Sequence, residues 1–383
     1  MKLTNKIKLP FKVKKPVLSF GSQAKNTLCF AKGNFALISR IHDDLNNLDD
    51  FLLFEKDAKY FLNKKPKVLA FDLHPDYQST SYASSLNNAF NGGIAIQHHH
   101  AHIAACMAEN GLKNEQVIGV AFDGSGLGFD NTIWGAEFLI CNYKTSVRIA
   151  HLKKIKLLGG EKAILEPWRI AAAWLNSIYG GSFLKLKIDF TKGVDKIKWH
   201  ILKEMESVSF NTPLTSSMGR LFDAFASLVL VKYNASYEAQ LPIELEKLAT
   251  RANVTSQKTY QFGIKENAGM FIIDPSPLFR AAVADLKNKR PKAEIAYCFH
   301  LAVANAINDI CLRIRKTRKI NTIVLSGGVF QNKLLLGLSK DCLKSLGFTV
   351  LTHKKLSCND SSVSLGQAVV ANFNTRTYRK VRV

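Results

Sequence analysis

The sequence lacks several features that would place the protein in a membrane, in a secretory pathway or in a disulfide-bonded class. It contains no uninterrupted run of about 18 apolar residues, so no membrane-spanning helix is predicted. Residues 1–10 are basic, but they lack the apolar core and the small-residue cleavage site of a secretory signal. The seven cysteines are scattered and include no CxxC pair, which favours reduced thiols over a disulfide framework or a zinc knuckle. We therefore expect a cytoplasmic protein.

Acidic residues are also scarce relative to basic ones. With 53 Lys and Arg against 30 Asp and Glu, the formal charge is +23. Such a charge attracts polyanions and acidic partners without specifying which. The densest basic runs are Arg313 to Lys319 and Arg376 to Arg382, and no aromatic-rich platform for single-stranded nucleic acid adjoins them. Nucleic-acid binding stays open, but a solvated helix end and a basic tail are favoured.

Two stretches of the chain show the same predicted order of elements. In residues 16–115, three strands precede a helix, a strand, a helix, a strand and a helix. The order recurs in residues 116–373, interrupted by a mostly helical insertion at about 161–306. The pattern predicts two α/β lobes flanked by basic tails at 1–15 and 374–383. Ligands of such sheets bind beyond the strand ends, so we expect a cleft between the lobes. The first three strands are predicted at Val17–Phe20, Thr27–Ala31 and Phe35–Ser39.

Four histidines lie within five residues: His98, His99, His100 and His102. The pattern predicts a short buried strand at Gly93 to Ile96 and a helix at Ile103 to Gly111, so the histidines lie where a strand meets a helix. His98 and His102 are four residues apart, and one helical turn would place them on one face. Two imidazoles so placed can bind one metal ion and leave positions for a substrate. The alternative is a run of partly solvated loop histidines.

The second lobe offers a carboxylate to this histidine pair. Asp360 follows the last strand of its half, as the histidine helix follows the last strand of the first half. Symmetry between the lobes would bring Asp360 to His98 and His102 across the cleft. Asp123, at the end of the strand Val117 to Phe122, is either a metal ligand or a hydrogen-bond anchor for the turn after it. The residues alone thus predict a metal held by two histidines and an aspartate.

Three glycine-containing segments are candidates for nucleotide binding. Asp123 to Gly128 is predicted as a turn whose N–H groups cradle phosphate oxygens, although tight hairpins also use glycine. Ser326-Gly327-Gly328 ends a strand before a helix, where a nucleotide can approach the backbone closely. Asn332 is then a helix cap or a nucleotide contact. Gly219 and Asp223, one helical turn apart, suit a ribose, with a surface or capped Asp223 as the alternative.

Other motifs are absent or have a simpler interpretation. No dinucleotide fingerprint, P-loop or Gly-x-Ser-x-Gly elbow stands out. His300 lies among apolar residues and is predicted to be packed in the core. A metal beside glycine-rich nucleotide elements suits the transfer of an activated acyl group from a nucleotide.

Several strings of the sequence resemble the carbamoyltransferase HypF family. In order along the chain they are FDLHPDY, QHHHAHIAACMAENG, VAFDGSGLGFDNTIWGAEF, EPWRIAAAW, SSMGRLFDAFASL, SYEAQ, SGGVFQN and NDSSVSLGQAVVA. The resemblance runs from about Pro16 to Ala371 and covers only the C-terminal, threonylcarbamoyl-transferase-like domain of that family. It implies an α/β fold of the two-lobed sugar kinase/actin-like type, with duplicated ribonuclease-H-like lobes.

The resemblance also implies an activity and a set of site residues. The activity is carbamoyl transfer from carbamoyl-adenylate, made from carbamoyl phosphate and ATP, to the C-terminal cysteine thiolate of HypE during cyanide-ligand synthesis for [NiFe]-hydrogenases. The implied ligands of a zinc or iron ion are His98, His102, Asp123 and Asp360. The implied nucleotide contacts are Gly124, Ser125, Gly126, Gly128, Gly219, Asp223, Gly327, Gly328 and Asn332. The string Lys25-Asn26-Thr27 implies that Lys25 holds the carbamoyl end.

The sequence departs from the family pattern in two places. Family members usually begin with an acylphosphatase-like domain, CxxC zinc fingers and an adenylate-forming domain, none of which fits before Pro16, so a separate adenylate-forming domain or protein is expected. The usual Asn-Asp-Gly-Gly is Asn359-Asp360-Ser361-Ser362 here, and side chains at glycine positions are expected to distort the loop. The alternatives are a threonylcarbamoyl or O-carbamoyl transferase acting on tRNA or a small molecule, and an inactive scaffold that binds nucleotide and metal.

Overall fold

The computed structural model describes residues 3–86, 93–253 and 259–374, which form two main β-sheets with helices around and between them. The elements of the first half are β1 (Leu3–Ser19), β2 (Ala24–Asn26), β3 (Cys29–Ser39), β4 (His42–Asp44), α1 (Leu48–Leu62), β5 (Val68–Asp72), α2 (Gln78–Ser85), β6 (Ile94–Ile96) and α3 (His98–Glu109). The first sheet has the order β3-β1-β5-β6, and β1, β5 and β6 are parallel. Asp72 pairs with Ile96 at the edge where α3 begins.

The prediction of a basic tail at residues 1–15 is wrong for residues 3–15, which belong to β1 and pair antiparallel with β3. Lysines alternate with apolar residues here, and Ile7, Leu9 and Val13 are buried while the lysines are exposed. This alternation is the two-residue period of a strand with one buried face. The other predicted tail, from residue 375 onward, lies outside the described residues.

The first half contains two long antiparallel strands where the pattern predicts a three-stranded meander. The predicted strands Thr27–Ala31 and Phe35–Ser39 are one strand, β3, which begins at Cys29, so their prediction as separate strands is wrong. Gly33 has φ +60° and lies at an irregularity of the pairing with β1. A glycine in the left-handed region thus accommodates a bulge within one strand.

The second half forms the larger sheet. Its elements are β7 (Val117–Leu127), β8 (Ile133–Cys141), β9 (Ser146–Leu152), β10 (Ile155–Lys156), α4 (Lys162–Leu165), α5 (Trp168–Tyr179), α6 (Asp189–Lys192), α7 (Lys196–Ser207), β11 (Leu214–Thr215), α8 (Met218–Leu230), α9 (Gln240–Ala249), β12 (Gly263–Asn267), β13 (Met270–Asp274), α10 (Ser276–Lys287), α11 (Lys292–Arg318), β14 (Thr322–Ser326), α12 (Lys333–Ser345), β15 (Thr349–Leu351) and α13 (Val363–Phe373). Short 3₁₀ turns lie at Gly180–Lys185, Gly328–Gln331 and Asp360–Ser362. The sheet order is β12-β13-β9-β8-β7-β14-β15, with β10 and β11 beside it. The hairpin β12–β13 thus extends the sheet from within the region predicted to be mostly helical.

Two helices connect the sheets. Buried apolar residues of α3 and α13 form one core with residues from β1, β6, β7 and β14. The helices approach so closely that a Cβ at Gly366 of α13 would lie 1.8 Å from the carbonyl oxygen of Ala101 in α3. Only glycine fits this crossing, which holds the histidine helix against the helix that follows Asp360.

The helix α11 has the length and hydropathy of a membrane span, and 72% of its most apolar window is buried inside the fold. It packs against α8, where the ring of Phe299 stacks on Phe225 at 4.0 Å and meets Phe222 edge-on at 4.8 Å. This is the environment of a core helix.

Candidate metal centre

Side chains from both halves of the chain meet in one cluster. His98 and His102 of α3, Asp123 of β7 and Asp360 each offer one ligand atom, and these four atoms lie within 4.8 Å of one another. His102 Nε2 lies 2.7 Å from Asp123 Oδ2 and 3.5 Å from Asp360 Oδ1. His98 Nε2 lies 3.5 Å and 3.7 Å from the same two oxygens. The structure therefore brings together all four residues that the resemblance implies as metal ligands.

The chemistry of these atoms fits a bound metal ion. His98 Nε2, His102 Nε2 and Asp123 Oδ2 are buried, and apart from their close contacts within the cluster they have no hydrogen-bond partner. Buried polar atoms without a partner are rare because they lose their hydration without compensation. Imidazole nitrogens and carboxylate oxygens are the usual ligands of zinc and of non-haem iron. A divalent ion among the four residues would satisfy the unpartnered atoms together.

The helix α3 begins earlier than the pattern predicts. Gln97 caps it by accepting a hydrogen bond from the His100 N–H at 2.9 Å, so the histidines form its first turns and the predicted start at Ile103 is wrong. His99 Nδ1 bonds Gln97, and His100 Nε2 bonds the Asn142 carbonyl at 2.7 Å. The alternative of partly solvated loop histidines is therefore wrong.

Asp72 is a site residue that the sequence analysis missed. Its Oδ2 accepts a hydrogen bond from His98 Nδ1 at 2.8 Å, and its Oδ1 accepts one from the His74 N–H at 3.1 Å. A carboxylate on Nδ1 fixes the tautomer in which Nε2 is free to bind a metal. The signal was available in the string FDLHPDY, since Asp72 ends a buried strand beside the strand that leads to His98.

Asp123 is held by backbone N–H groups from two elements. Its Oδ1 accepts hydrogen bonds from Gly124 at 2.8 Å and from Gly328 at 3.2 Å, which leaves Oδ2 facing the histidines. Gly327 makes this possible, because its φ is +102° and a Cβ there would lie 2.2 Å from the Phe122 carbonyl oxygen. Asp123 is thus both anchored to the turn and placed as a metal ligand, the two roles that the sequence left as alternatives.

Opposite charges shift the titration of the cluster. Burial alone would lower the pKa of His98, but Asp72 and Asp360 raise it well above its usual value. Burial likewise opposes the effect of Asp123, which raises the pKa of His102. Burial would raise the pKa of Asp360, but the histidines, chiefly His98, lower it to about 2. The metal-free cluster therefore favours imidazolium–carboxylate pairs, and an ion that binds must displace protons.

The predicted glycine turn at 123–128 is instead part of β7, which continues to Leu127 with a pairing irregularity between Phe122 and Gly126. Glycines accommodate this bulge and let the Gly124 N–H turn back to Asp123. Ser125 is exposed and Gly128 buried on the same stretch. A Cβ at Gly219 would lie 2.9 Å from the Gly124 Cα. The start of α8 therefore contacts β7 directly beside Asp123.

Asp223 is buried rather than on the surface. Its Oδ2 lies 3.2 Å from Arg220 Nε, and Arg220 also pairs with Glu238 at 3.2 Å. Burial raises the pKa of Asp223 to about 6, against the effect of Arg220. The surface alternative for Asp223 is therefore wrong.

Asn332 caps α12, because its Oδ1 accepts a hydrogen bond from the Leu335 N–H at 2.8 Å. Its amide nitrogen lies 2.9 Å from His300 Nε2. His300 is fully buried and its Nδ1 donates to the Ala296 carbonyl at 2.7 Å, which confirms the prediction of a core histidine. The structure supports the capping interpretation of Asn332, and a nucleotide contact remains a prediction.

Lys25 is exposed and has φ +47°, an uncommon conformation for a residue with a side chain. Two residues on, Thr27 Oγ1 donates to the Ser361 carbonyl at 2.8 Å, which joins this segment to the turn that carries Asp360. The turn accepts serines without distortion, because Asn359 Oδ1 receives the Ser361 hydroxyl at 2.8 Å and Ser362 has a right-handed conformation. The expectation of a distorted loop is therefore wrong, and the role of Lys25 remains a prediction.

Comparison with known proteins gives one consistent family. The family model described as "Carbamoyltransferase, Kae1-like Domain, second subdomain" matches residues 119–367, and the "HypF Kae1-like domain" matches residues 12–109. The chain is 35% identical to carbamoyltransferase HypF of Synechocystis sp., over 97% of this chain and 49% of that protein. It is 34% identical to the carbamoyltransferase HypF homolog of Cupriavidus necator, over 93% of this chain and 91% of that protein.

A solved structure agrees with these matches. The crystal structure of full-length HypF in the phosphate- and nucleotide-bound form superposes with a TM-score of 0.89 at 40% identity, over 96% of this chain and 47% of that chain. The chain thus spans about half the length of most of the curated relatives, and nearly all of the C. necator homolog. The predicted α/β fold of the two-lobed sugar kinase/actin-like type is confirmed. The chain belongs to the carbamoyltransferase HypF family.

Proposed function

We propose that this chain transfers a carbamoyl group from carbamoyl-adenylate to the C-terminal cysteine thiolate of a HypE-like acceptor protein, in the maturation of [NiFe]-hydrogenases. The observation that carries the proposal is the position of the four-residue cluster. Its ligand Asp123 is bonded by the N–H groups of Gly124 and Gly328, two of the proposed nucleotide contacts. A metal ion and a nucleotide would therefore meet at one carboxylate.

The proposed transfer makes one bond and breaks another. The thiolate sulfur forms a bond to the carbamoyl carbon, the bond from that carbon to the phosphate oxygen breaks, and AMP leaves with the electron pair. Zinc or iron held by His98, His102, Asp123 and Asp360 would supply Lewis-acid polarisation. Asp72 keeps the His98 ring in the metal-binding tautomer, and the glycine N–H groups keep one Asp123 oxygen turned to the histidines.

The nucleotide would lie along the glycine-lined side of the cluster. Gly124 and Gly219 are in contact and Gly328 bonds Asp123, so little side-chain bulk separates a phosphate from these backbones. The proposed contacts are Gly124, Ser125, Gly126, Gly128, Gly219, Asp223, Gly327, Gly328 and Asn332. Asp223 would bind ribose hydroxyls, and Lys25 would face the carbamoyl end. The match to a nucleotide-bound HypF structure supports nucleotide binding.

We propose that a separate adenylate-forming domain or protein supplies the carbamoyl-adenylate. We place the reaction in the cytoplasm, and we divide the chain into a first lobe that begins with β1 and ends at residue 115 and a second lobe at 116–373, with the insertion at about 161–306.

The test incubates the chain with carbamoyl phosphate, ATP and HypE, with and without an adenylate-forming domain. Mass spectrometry of the HypE C-terminal peptide is expected to show a carbamoylated cysteine with the native chain and none with His98→Ala. If the HypE peptide stays unmodified although the chain binds metal and nucleotide, the chain is an inactive scaffold. Modification of added tRNA instead would assign the chain to the threonylcarbamoyl transferases.

A further inference from the structure

Three buried side chains form a hydrogen-bonded chain at the far end of the histidine helix. Glu109 is the last residue of α3, and its Oε2 accepts a hydrogen bond from His353 Nδ1 at 3.1 Å. His353 Nε2 lies 2.8 Å from the hydroxyl of Ser326, the last residue of β14. The side chains of Glu109 and His353 are 0% and 4% exposed, and Ser326 is fully buried. The sequence analysis named Ser326 only as the start of a candidate nucleotide segment, and it singled out neither Glu109 nor His353.

The hydrogen bonds fix the protonation state of each member. Besides His353, the Glu109 carboxylate accepts the backbone N–H groups of Lys354, Lys355 and Leu356. Three backbone N–H groups already donate to the two oxygens, which suits an ionised, acceptor-only carboxylate, and we therefore assign the His353 proton to Nδ1. A neutral His353 then accepts from the Ser326 hydroxyl at Nε2. Burial lowers the pKa of His353, and hydrogen bonds overcome the effect of burial to lower the pKa of Glu109.

The order serine, histidine and acid is that of a hydrolase triad, but the position of the serine excludes that role. A nucleophile must meet its substrate, and the Ser326 side chain is 0% exposed at the end of a central strand. The network also has no open end, because each donor and acceptor faces another element of the protein. The network therefore has a structural role, which is to hold segments of the chain together.

The segments that it holds are those that carry the metal cluster. Glu109 belongs to the helix of His98 and His102, and His353 begins the loop that leads to Asp360. Asn110, next to Glu109, donates to the Thr352 carbonyl at 2.9 Å, so two consecutive residues clamp that loop.

On the other side, the network reaches the remaining ligand. Ser326 precedes Gly327, whose N–H donates to the Cys358 carbonyl at 3.0 Å, two residues before Asp360. Gly328 follows and donates to Asp123. The loop that leads to Asp360 and the Gly327-Gly328 turn are therefore both tied to the end of α3.

We propose that Glu109, His353 and Ser326 are positioning residues that set the metal affinity of the cluster, by fixing the Asp360 loop and the Gly327-Gly328 turn against α3. The inference rests on the four-residue cluster and does not require carbamoyl transfer. Changing a hydrogen-bonded residue behind a metal ligand typically weakens metal binding about 10- to 100-fold. A network that acted only as a loop clamp would change the stability of the fold and leave the affinity unaltered.

The test measures Zn²⁺ affinity of the full chain by competition with a chromophoric chelator, with urea unfolding in parallel. Glu109→Gln replaces one acceptor oxygen by an amide that faces backbone N–H groups, and Ser326→Ala removes the last donor. Each is expected to weaken Zn²⁺ binding about tenfold or more. Because the residues act as one unit, the double variant is expected to lose little more Zn²⁺ affinity than Glu109→Gln alone.

The matched control is Tyr143→Phe. Tyr143 donates its buried hydroxyl to the Leu112 carbonyl at 2.6 Å, just after the same helix, and is outside the network. This variant is expected to lose stability with unchanged Zn²⁺ affinity. Folded Glu109→Gln and Ser326→Ala with affinity within about twofold of the native chain would overturn the proposal. If Glu109→Gln does not fold, the Zn²⁺ affinity of the smaller change Ser326→Ala decides. If the variants lose Zn²⁺ affinity but the native chain shows no transferase activity, only the proposed function is refuted.

Discussion

Replacing Asp72 by Asn tests how far the metal centre depends on a residue that does not touch the metal. Asp72 and His98 are fully buried and joined by a 2.8 Å hydrogen bond, while the other Asp72 oxygen receives the His74 N–H. An amide has one oxygen only, so either His98 Nδ1 or the His74 N–H loses its acceptor. The negative charge that supports the imidazole is also lost. We expect Asp72→Asn to weaken metal binding about 10- to 100-fold, or about 1.4–2.7 kcal/mol.

The assay is Zn²⁺ competition with a chromophoric chelator, and the chain offers a matched control. Asp57 is a buried carboxylate in the same half that bonds Arg40 at 2.8 Å and His42 at 3.3 Å, apart from the cluster. Asp57→Asn makes the same chemical change and is expected to lower stability with native Zn²⁺ affinity. Native affinity in Asp72→Asn, or an equal loss in both variants, would refute the reasoning.

Three further predictions concern stability, each measured by urea unfolding. Gly327→Ala is expected to destabilise the fold by at least about 3 kcal/mol, because Gly327 has φ +102° and an added Cβ would lie 2.2 Å from a carbonyl oxygen. Gly337→Ala, in the open interior of α12, is expected to stabilise the fold by about 1 kcal/mol. Ala239→Gly is expected to stabilise by about 1 kcal/mol, since Ala239 has φ +64°; an unchanged midpoint would contradict this. In chelator, the raised pKa of His98 contributes stability that is fully present below pH 6.5 and is lost as pH rises through the folded value. The lowered pKa of Asp360 contributes stability that is present above pH 3.8 and is lost as pH falls towards about 2, so the contribution of these two groups, measured as the difference between the native chain and His98→Ala, should be largest between these limits; a difference that rises steadily into alkaline pH would contradict this.

The local sequence pattern was sufficient to predict the features that depend on residues close together in the chain. The helical spacing of His98 and His102 predicted their shared face, and the equivalent position of Asp360 after the last strand predicted its approach from the other half. The helix–strand–helix–strand–helix order that ends the first half also follows from period and glycine punctuation, whereas the strands before it do not. Resemblance to a family supplied Asp123 as the fourth ligand, which the residues alone had left open.

The missed features depend on contacts between distant residues or on a misread period. Asp72, Glu109, His353 and Ser326 are ordinary residues at the ends of strands, helices and loops, and only folding shows that Asp72 bonds His98 and that the other three bond one another. Residues 3–15 were different, since their alternation of lysine and apolar residues was visible, but the high charge concealed the buried face. Composition indicated a tail where the two-residue period indicated a strand.

The central claim is that two histidines and two aspartates from both halves bind one divalent metal ion. Anomalous diffraction from crystals of the chain reconstituted with Zn²⁺ tests it most directly. We predict one anomalous peak about 2.0–2.2 Å from His98 Nε2 and His102 Nε2 and from a carboxylate oxygen of Asp123 or Asp360. A peak elsewhere in the molecule, or no peak at this cluster after reconstitution, would contradict the claim.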